Sequence, residues 1–408
     1  MTTETYIVIR AAQPFRPLER GARSFAIEQL SASQGGGGPF NITTESLDAE
    51  QLAVQRRNPD FLGAAIAMPM SLQQPMARAA TEPSPGESWG LEAVRAGANG
   101  RDGSGITVAI LDTGIDKKHP AFARLIAQER LVCKDFTRGK DVKDSEAPDE
   151  DGHGTHCAGV LCGDPVDGVR IGVAPGVHKL LVGKVLGAQG CDSAILTRAI
   201  EWAVDQQANV ISLSLGFDFP GLISQLQADG FPQALARSKA LERYRTNVEM
   251  FSALSRYVER RAAESHEAVL FIAATGNESR RNVRADFTVG AAPPSAAEGF
   301  IAVGAVEKAA NNSYKVAHYS NGGVTLCGPG SDISSARAGG GWVTMSGTSM
   351  ATPHVAGVAA LWGQKLLAET GRLDPRQWRS RIETAADHEV VVEASDFNIV
   401  GLGLARGP

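Results

Sequence analysis

Cysteine is scarce in this chain: Cys133, Cys157, Cys162, Cys191 and Cys327 are the only five in 408 residues, and no two form a Cys-x-x-Cys pair. A disulfide scaffold and a cysteine-based zinc module are thereby excluded, and free thiols are expected. No sign of charge dominates, with 40 Lys and Arg against 45 Asp and Glu and a formal net charge of −5. With no basic block, a nucleic-acid partner lacks its electrostatic footprint. Long apolar runs are missing too. Nothing approaches the roughly 20 consecutive apolar residues that span a bilayer, and the opening MTTETYIVIR has neither the basic nor the apolar region of a secretory signal. The expectation is a cytoplasmic protein without a membrane partner, export being left only to a route that uses no such signal. What remains is an ordinary globular balance, 43% hydrophobic and 21% charged, with 45 glycines that suit tight turns and a site built from loops.

At ~100–200 residues per domain the length allows two or three domains. The first 85 residues differ from the rest. TYIVIR (5–10) alternates as a short strand, 23–30 suits a helix, and SASQGGGGP (31–39) is a flexible break. An apolar strand is expected over 61–72, and QQPMARAATEPSP (73–85) is a linker. From Ile106 onward, buried strands alternate with helices: 107–111, 180–185, 210–215, 269–274 and 300–306. Their near-continuous Val, Ile, Leu and Ala content predicts a parallel sheet covered on both faces. The interval 217–268 is longer than an ordinary crossover. Leu241, Tyr244, Val248, Phe251, Leu254 and Val258 recur there at spacings of 3 and 4, one long amphipathic helix, with a shorter one near 222–226. It is either a surface helix packed on the body or a lid or docking element.

Three segments put a reactive side chain where a strand ends or a helix begins. TVAILDTGID delivers Asp112 at the carboxyl end of a buried strand, where a carboxylate can hold a histidine in one tautomer. DGHGTHCAG opens a helix with His153 and His156. Two histidines suggest a metal, but His-x-x-His is not the i, i+4 spacing of a His-Glu-x-x-His zinc site. SGTSMATPHVAG sets Ser349 at the amino end of a helix continuing through 359–366, with Pro353 in its first turn. Helix amino ends stabilise the negative charge that alkoxide attack on a carbonyl creates. Each segment alone has a plain reading as a cap or turn; the chain order Asp, His, Ser joins them.

With these three segments, and with VAP (173–175), GKVL (183–186), AIEWA (199–203), VISLSLG (210–216), AATGNE (273–278) and IAVGAV (301–306) in order between or around them, the chain resembles the subtilisin-like serine peptidases, or subtilases, over roughly residues 89 to 404. The resemblance implies an α/β, three-layer fold with a mostly parallel central sheet. It implies a serine endopeptidase acting on polypeptides through an acyl-enzyme, with Asp112 as orienting acid, His153 as base and Ser349 as nucleophile. Asn277 then corresponds to the oxyanion donor, and His156 and His354 to structural histidines. Substrate would lie extended between Ser214–Leu215–Gly216 and Gly190–Cys191–Asp192, with Ala274, Thr275 and Gly276 along the primary pocket. Cys157 matches the thiol-containing branch of proteinase K and thermitase and should lie beneath His153.

The chemistry requires no cofactor. A structural calcium is allowed for at 163–170, where Asp164 and Asp167 stand in place of the family's asparagines. Asp192, Asp151 and Glu278, with Asp144, Glu146, Asp149 and Glu150, give the approach an acidic character and an expected preference for basic residues beside the scissile bond. Residues 1–85 take the place of a propeptide, an α+β unit that inhibits and assists folding of the catalytic domain 86–408, with cleavage expected within 70–85. The helical insertion 217–268 keeps a peptide ligase or macrocyclase open as an alternative, and an inactive peptide-binding relative is the other.

Overall fold

The computed structural model describes residues 3–12, 40–72, 89–138, 146–187, 190–265, 268–392 and 396–408. The helix expected at 23–30, the break at 31–39, the linker at 73–85 and Asp144 lie outside the described residues.

The strand Thr107–Asp112 is buried at every position. It lies between Val210–Leu213 and Lys179–Lys184, parallel to both. The sheet continues through Leu270–Ala274 to Phe300–Lys308 on one side and through Leu131–Asp135 on the other. Leu326–Pro329 adds a further parallel partner, and Tyr314–Val316 an antiparallel edge. Alternation explains why such strands read as unbroken apolar runs. Val108 and Ile110 enter one buried cluster with Leu161, Val355, Trp378 and Ile382, while Ala109 and Leu111 enter another with Leu196, Ile200, Phe251 and Leu254. Helices thus cover both faces: His153–Cys162, Thr348–Thr370 and Pro375–Thr384 on one, Ser193–Asp205 and Gln233–Ser265 on the other. Strands 131–135 and 326–329 were missed by the sequence reading because their letters, LVCKD and LCGP, are too short or too mixed to stand out.

The amino-terminal unit is an antiparallel sheet of Glu4–Ala11, Phe40–Leu47 and Phe61–Ile66, the first in the middle. The helix Ala49–Gln55 begins in a capping box formed by Asp48 and Gln51. One sheet face seals against the body, since Ile7, Ile9, Phe40 and Ala65 share the cluster of Phe251, Leu254 and Tyr257. Val8, Leu47 and Leu52 form a small core on the other face.

Two expectations change. The single strand of 61–72 is two, Phe61–Ile66 in the amino-terminal sheet and Pro69–Leu72 in a sheet with the body. Between them, Met68 turns its backbone to Ser193, which accepts its N–H at Oγ (3.1 Å) and donates to its carbonyl (3.0 Å). The insertion is the expected pair of a shorter and a long helix, Phe219–Ala228 and Gln233–Ser265, and what changes is the buried stripe of the long one. Leu241, placed on the apolar stripe by spacing, is 61% exposed. The buried stripe runs instead through Ala236, Ala240, Asn247, Phe251, Leu254 and Val258, and its first half carries residues too small or too polar to mark it in the sequence.

Candidate active site

Three elements converge at the carboxyl end of the sheet. The strand Thr107–Asp112 ends on Asp112, whose Oδ1 accepts the Thr113 N–H (2.7 Å) and meets His153 Nδ1 at 2.8 Å. His153 is the first residue of its helix, and the left-handed Gly152 (φ 97°) precedes it. Asp112 and His153 are fully buried. Burial disfavours a charged imidazole, but the Asp112 carboxylate against Nδ1 outweighs it and holds the His153 pKa well above 6.5. Burial also pushes the Cys157 thiol up, so this sulfur is a neutral neighbour of the ring, 3.8 Å from Nδ1. It lies under the histidine as expected, and the thiol is no nucleophile in this state.

Ser349 is the second residue of the helix Thr348–Thr370. Pro353 is not in the first turn but inside the helix, so the Ser349 carbonyl lacks the N–H that a residue four places on would donate. Ser214 Oγ donates to it at 3.0 Å and Cys157 Sγ lies 3.5 Å away. The Ser349 hydroxyl in turn donates to the Ser214 carbonyl at 3.3 Å. The role of the Ser214 side chain was missed by the sequence reading; the proline four residues after Ser349 was its signal, because it predicts an orphaned carbonyl.

Asn277 is fixed by Thr348, whose N–H and Oγ1 both donate to Asn277 Oδ1 at 2.9 Å. This settles which end of the carboxamide donates. Before it, Gly276 adopts φ 116°, and a side chain there would strike Asn321. Thr275 is tied to the Val303 carbonyl through N–H (3.1 Å) and Oγ1 (3.2 Å), continuing the buried line of Ala274.

The two expected binding segments are brought face to face, but with a strand between them. Pro69–Leu72 pairs antiparallel with Leu215–Phe217 (Leu72 opposite Leu215, Ser71 opposite Gly216) and with Cys191–Asp192 (Met70 opposite Cys191). Gly190, at φ 76°, closes the turn before that edge. Met70 is 3% exposed, in the apolar cluster that holds Leu215 and Phe217.

Most of the acidic approach has other work. Asp192 caps the helix Ser193–Asp205 by accepting from Ile195 N–H (2.9 Å). Asp149 accepts from Thr113 Oγ1 (2.8 Å) and from Thr155 N–H and Oγ1 (2.8 and 2.6 Å). Glu150 pairs with Lys184, and Glu278 accepts from Asn321 Nδ2 (2.6 Å). Only Asp151 and Glu146 are exposed acids without such a partner among the described residues. At the calcium loop, Arg124 Nε holds Asp164 Oδ1 at 2.9 Å, and Asp167 sits at φ 52° in the turn closed by Val166 and Val169. Arg124 thus answers one oxygen of Asp164, while Oδ2 is buried without a partner among the described residues. His156 Nε2 donates to the Ile333 carbonyl (2.9 Å) and His354 Nδ1 to the Met350 carbonyl (2.8 Å). Burial lowers their pKa values to about 3 and about 4, keeping both rings neutral.

A serine-centred site on a mostly parallel sheet defines a class, and the comparisons name the family. The subtilase family (peptidase S8) model matches residues 103–403. A subtilisin of Bacillus sp. (strain TA39) is 31% identical over 350 residues, 79% of this chain and 69% of that one. An intracellular serine protease of Paenibacillus polymyxa is 32% identical over 278 residues, 67% of this chain and 71% of that protein. Among solved structures, the S41 psychrophilic protease superposes with a TM-score of 0.58 at 27% identity, over 79% of this chain and 98% of its own. The chain belongs to the subtilase family and is a subtilisin-type serine endopeptidase acting on polypeptides. Among the described residues no helix is long and apolar enough to cross a membrane.

Proposed function

We propose that Asp112, His153 and Ser349 form the catalytic triad, that Asn277 and the Ser349 amide receive the oxyanion, and that the chain is made as a zymogen. The observation that carries this reading is the buried 2.8 Å pairing of Asp112 with His153 Nδ1, with Cys157 in contact both with that ring and with the Ser349 carbonyl. With Asp112 on Nδ1, the other ring nitrogen is left to take the Ser349 proton as the oxygen attacks the scissile carbonyl. The Asp112 carboxylate on Nδ1 stabilises the imidazolium formed when His153 takes that proton, before it passes to the leaving amine. Water repeats the cycle on the acyl-enzyme. Thr348, by occupying Asn277 Oδ1, turns the amide donor toward the oxyanion.

Residues 1–85 act as the propeptide and 86–408 as the catalytic domain with insertion 217–268. The strand Pro69–Leu72 supports this, because it occupies by backbone pairing the channel that a substrate would need. An intracellular place of action accords with the relative named as an intracellular serine protease and with five buried, unpaired cysteines.

The test is labelling by a fluorophosphonate, with the masses of the products. The full chain should become labelled at Ser349 and shorten by cleavage after Leu72, and Ser349→Ala should do neither. Products joined to an added amine, instead of hydrolysed, would establish the ligase alternative. A Ser349→Ala protein that still shortens by itself would overturn self-processing.

A further inference from the structure

The hydrogen bonds that hold the strand Pro69–Leu72 do not stop at its upstream end. The Asp218 N–H donates to the Pro69 carbonyl at 3.3 Å. Ser193 meets Met68 twice, through its N–H at 3.0 Å and its Oγ at 3.1 Å. Asn247 Nδ2 donates to the Ile66 carbonyl at 2.8 Å. Every one of these contacts reaches backbone, never a side chain of residues 66–69, so any extended polypeptide could make them. Ser193 and Asn247 are fully buried beneath the segment. The Asn247 amide is also preset: Nδ2 donates to the Arg243 carbonyl one turn back (2.8 Å), and Oδ1 has no partner among the described residues. A buried carboxamide aimed at a passing backbone, in a helix face otherwise lined by Ala236, Ala240, Phe251 and Leu254, is built for that contact.

We infer that the helical insertion, through Asn247, and the start of the helix Ser193–Asp205, through Ser193, lengthen the substrate channel upstream of the cleft, binding the polypeptide backbone at the places held here by Ile66 and Met68. This rests on the reading that residues 190–192 and 214–216 line the substrate channel. The added subsites select for length and extension, not for sequence. An unfolded stretch of polypeptide gains both contacts, a short peptide neither. The one residue they reject is proline at the Met68 place, which has no N–H for Ser193 Oγ.

The test uses the full chain after it has been allowed to mature, its active sites counted with a fluorophosphonate. The substrates are acetylated, internally quenched peptides copying the sequence of residues 70–80, 68–80 and 66–80, with cleavage at one common bond verified by mass. At about 1 kcal/mol per net hydrogen bond, the first extension, which adds two with Ser193, is expected to raise kcat/KM about 25-fold, and the second, which adds one with Asn247, about fivefold. Asn247→Ala should abolish the second step and keep the first. Ser193→Ala should reduce the first and keep the second. Asn247→Asp preserves the shape without the donor and should behave as Asn247→Ala. A backbone ester whose carbonyl takes the Ile66 place weakens the acceptor without touching the enzyme, and should reduce the second step in wild type alone. A flat response to length, or steps that Asn247→Ala and the ester leave intact, overturns the inference and confines these contacts to docking of the amino-terminal unit. Failure of the channel reading is separable: there the 70–80 peptide would go uncut, or would be cut equally by Ser349→Ala.

Discussion

The Ser349 carbonyl offers a quantitative test of how the nucleophile is held. Pro353 deprives this group of its helical donor, and two side chains replace it, Ser214 Oγ at 3.0 Å and Cys157 Sγ at 3.5 Å. Both residues are buried, at 2% and 1% exposure, so water cannot substitute for either. In a Ser349→Ala background, which retains the carbonyl and prevents self-digestion, Ser214→Ala leaves a weak thiol donor and should cost about 1 kcal/mol. Cys157→Ala leaves the hydroxyl and opens a small void, again about 1 kcal/mol. Together they orphan a buried acceptor, whose desolvation costs about 1–3 kcal/mol. The double variant should therefore exceed the sum of the singles by about 1–2 kcal/mol. Adding Pro353→Ala supplies the missing N–H and should recover most of that excess, while being nearly silent where Ser214 and Cys157 are present. Urea unfolding followed by fluorescence of the five tryptophans gives the six stabilities, compared at a constant m-value. Additivity within about 0.5 kcal/mol, or no recovery with Pro353→Ala, would refute the reasoning.

Acid should unfold the same Ser349→Ala protein steeply. His156 and His354 have folded pKa values of about 3 and about 4 against 6.5 ordinarily, so the unfolded chain takes up their protons first as pH falls. Their contribution is present above pH 6.5 and is lost toward pH 4, with a slope nearing two protons, about 2.7 kcal/mol per pH unit. His153, raised, is protonated in both states below 6.5 and adds nothing in that window. Stability measured between pH 7 and 4 should lose one proton of slope in His354→Gln, and an unchanged slope would contradict the neutral, buried ring. Docking of the amino-terminal unit depends on a close approach at Gly63, where a Cβ would stand 3.3 Å from Met250 Cα. Gly63→Val should push the sheet off the helix and speed digestion of residues 40–72 by an added protease by about tenfold, consistent with overpacking of 1–3 kcal/mol. Equal protection in the two proteins would count against tight docking.

What could be read from the sequence was what local letters decide. Asp112, His153, Asn277 and Ser349, the residues proposed for the triad and the oxyanion, sit in motifs whose neighbours set their local structure: a buried strand, a helix start, glycines that admit close approach. The parallel sheet was legible because strands covered on both faces cannot alternate. Reading failed where a residue's partner lies far along the chain. The cap that Asp192 makes on its helix and the pairing of Asp164 with Arg124, forty residues before it, could not be read from their letters. Charge in a sequence says nothing about which charges are already answered. The break at Ala67 and Met68 was invisible for the same reason, since Ser193, 125 residues later, takes the Met68 backbone away from the amino-terminal sheet.

The insertion shows how a misplaced helix stripe can still be informative. Counting large apolar residues put Leu241 on the packed face, whereas the face is set by Ala236, Ala240 and Asn247 before it reaches Phe251. Small residues there let a second layer approach closely, as Gly63 does from the other side, with room for a sheet and not for a bulky side chain. An asparagine in the middle of such a face has to be satisfied by what lies on it. What lies on Asn247 is the Ile66 carbonyl, five residues from Ser71 and its pairing with Gly216 at the cleft. The same residue that breaks the apolar pattern thus ties the insertion to the path of the chain through the active site. A polar position on the buried stripe of an insertion marks where that insertion meets backbone, and here that place is the upstream end of the channel.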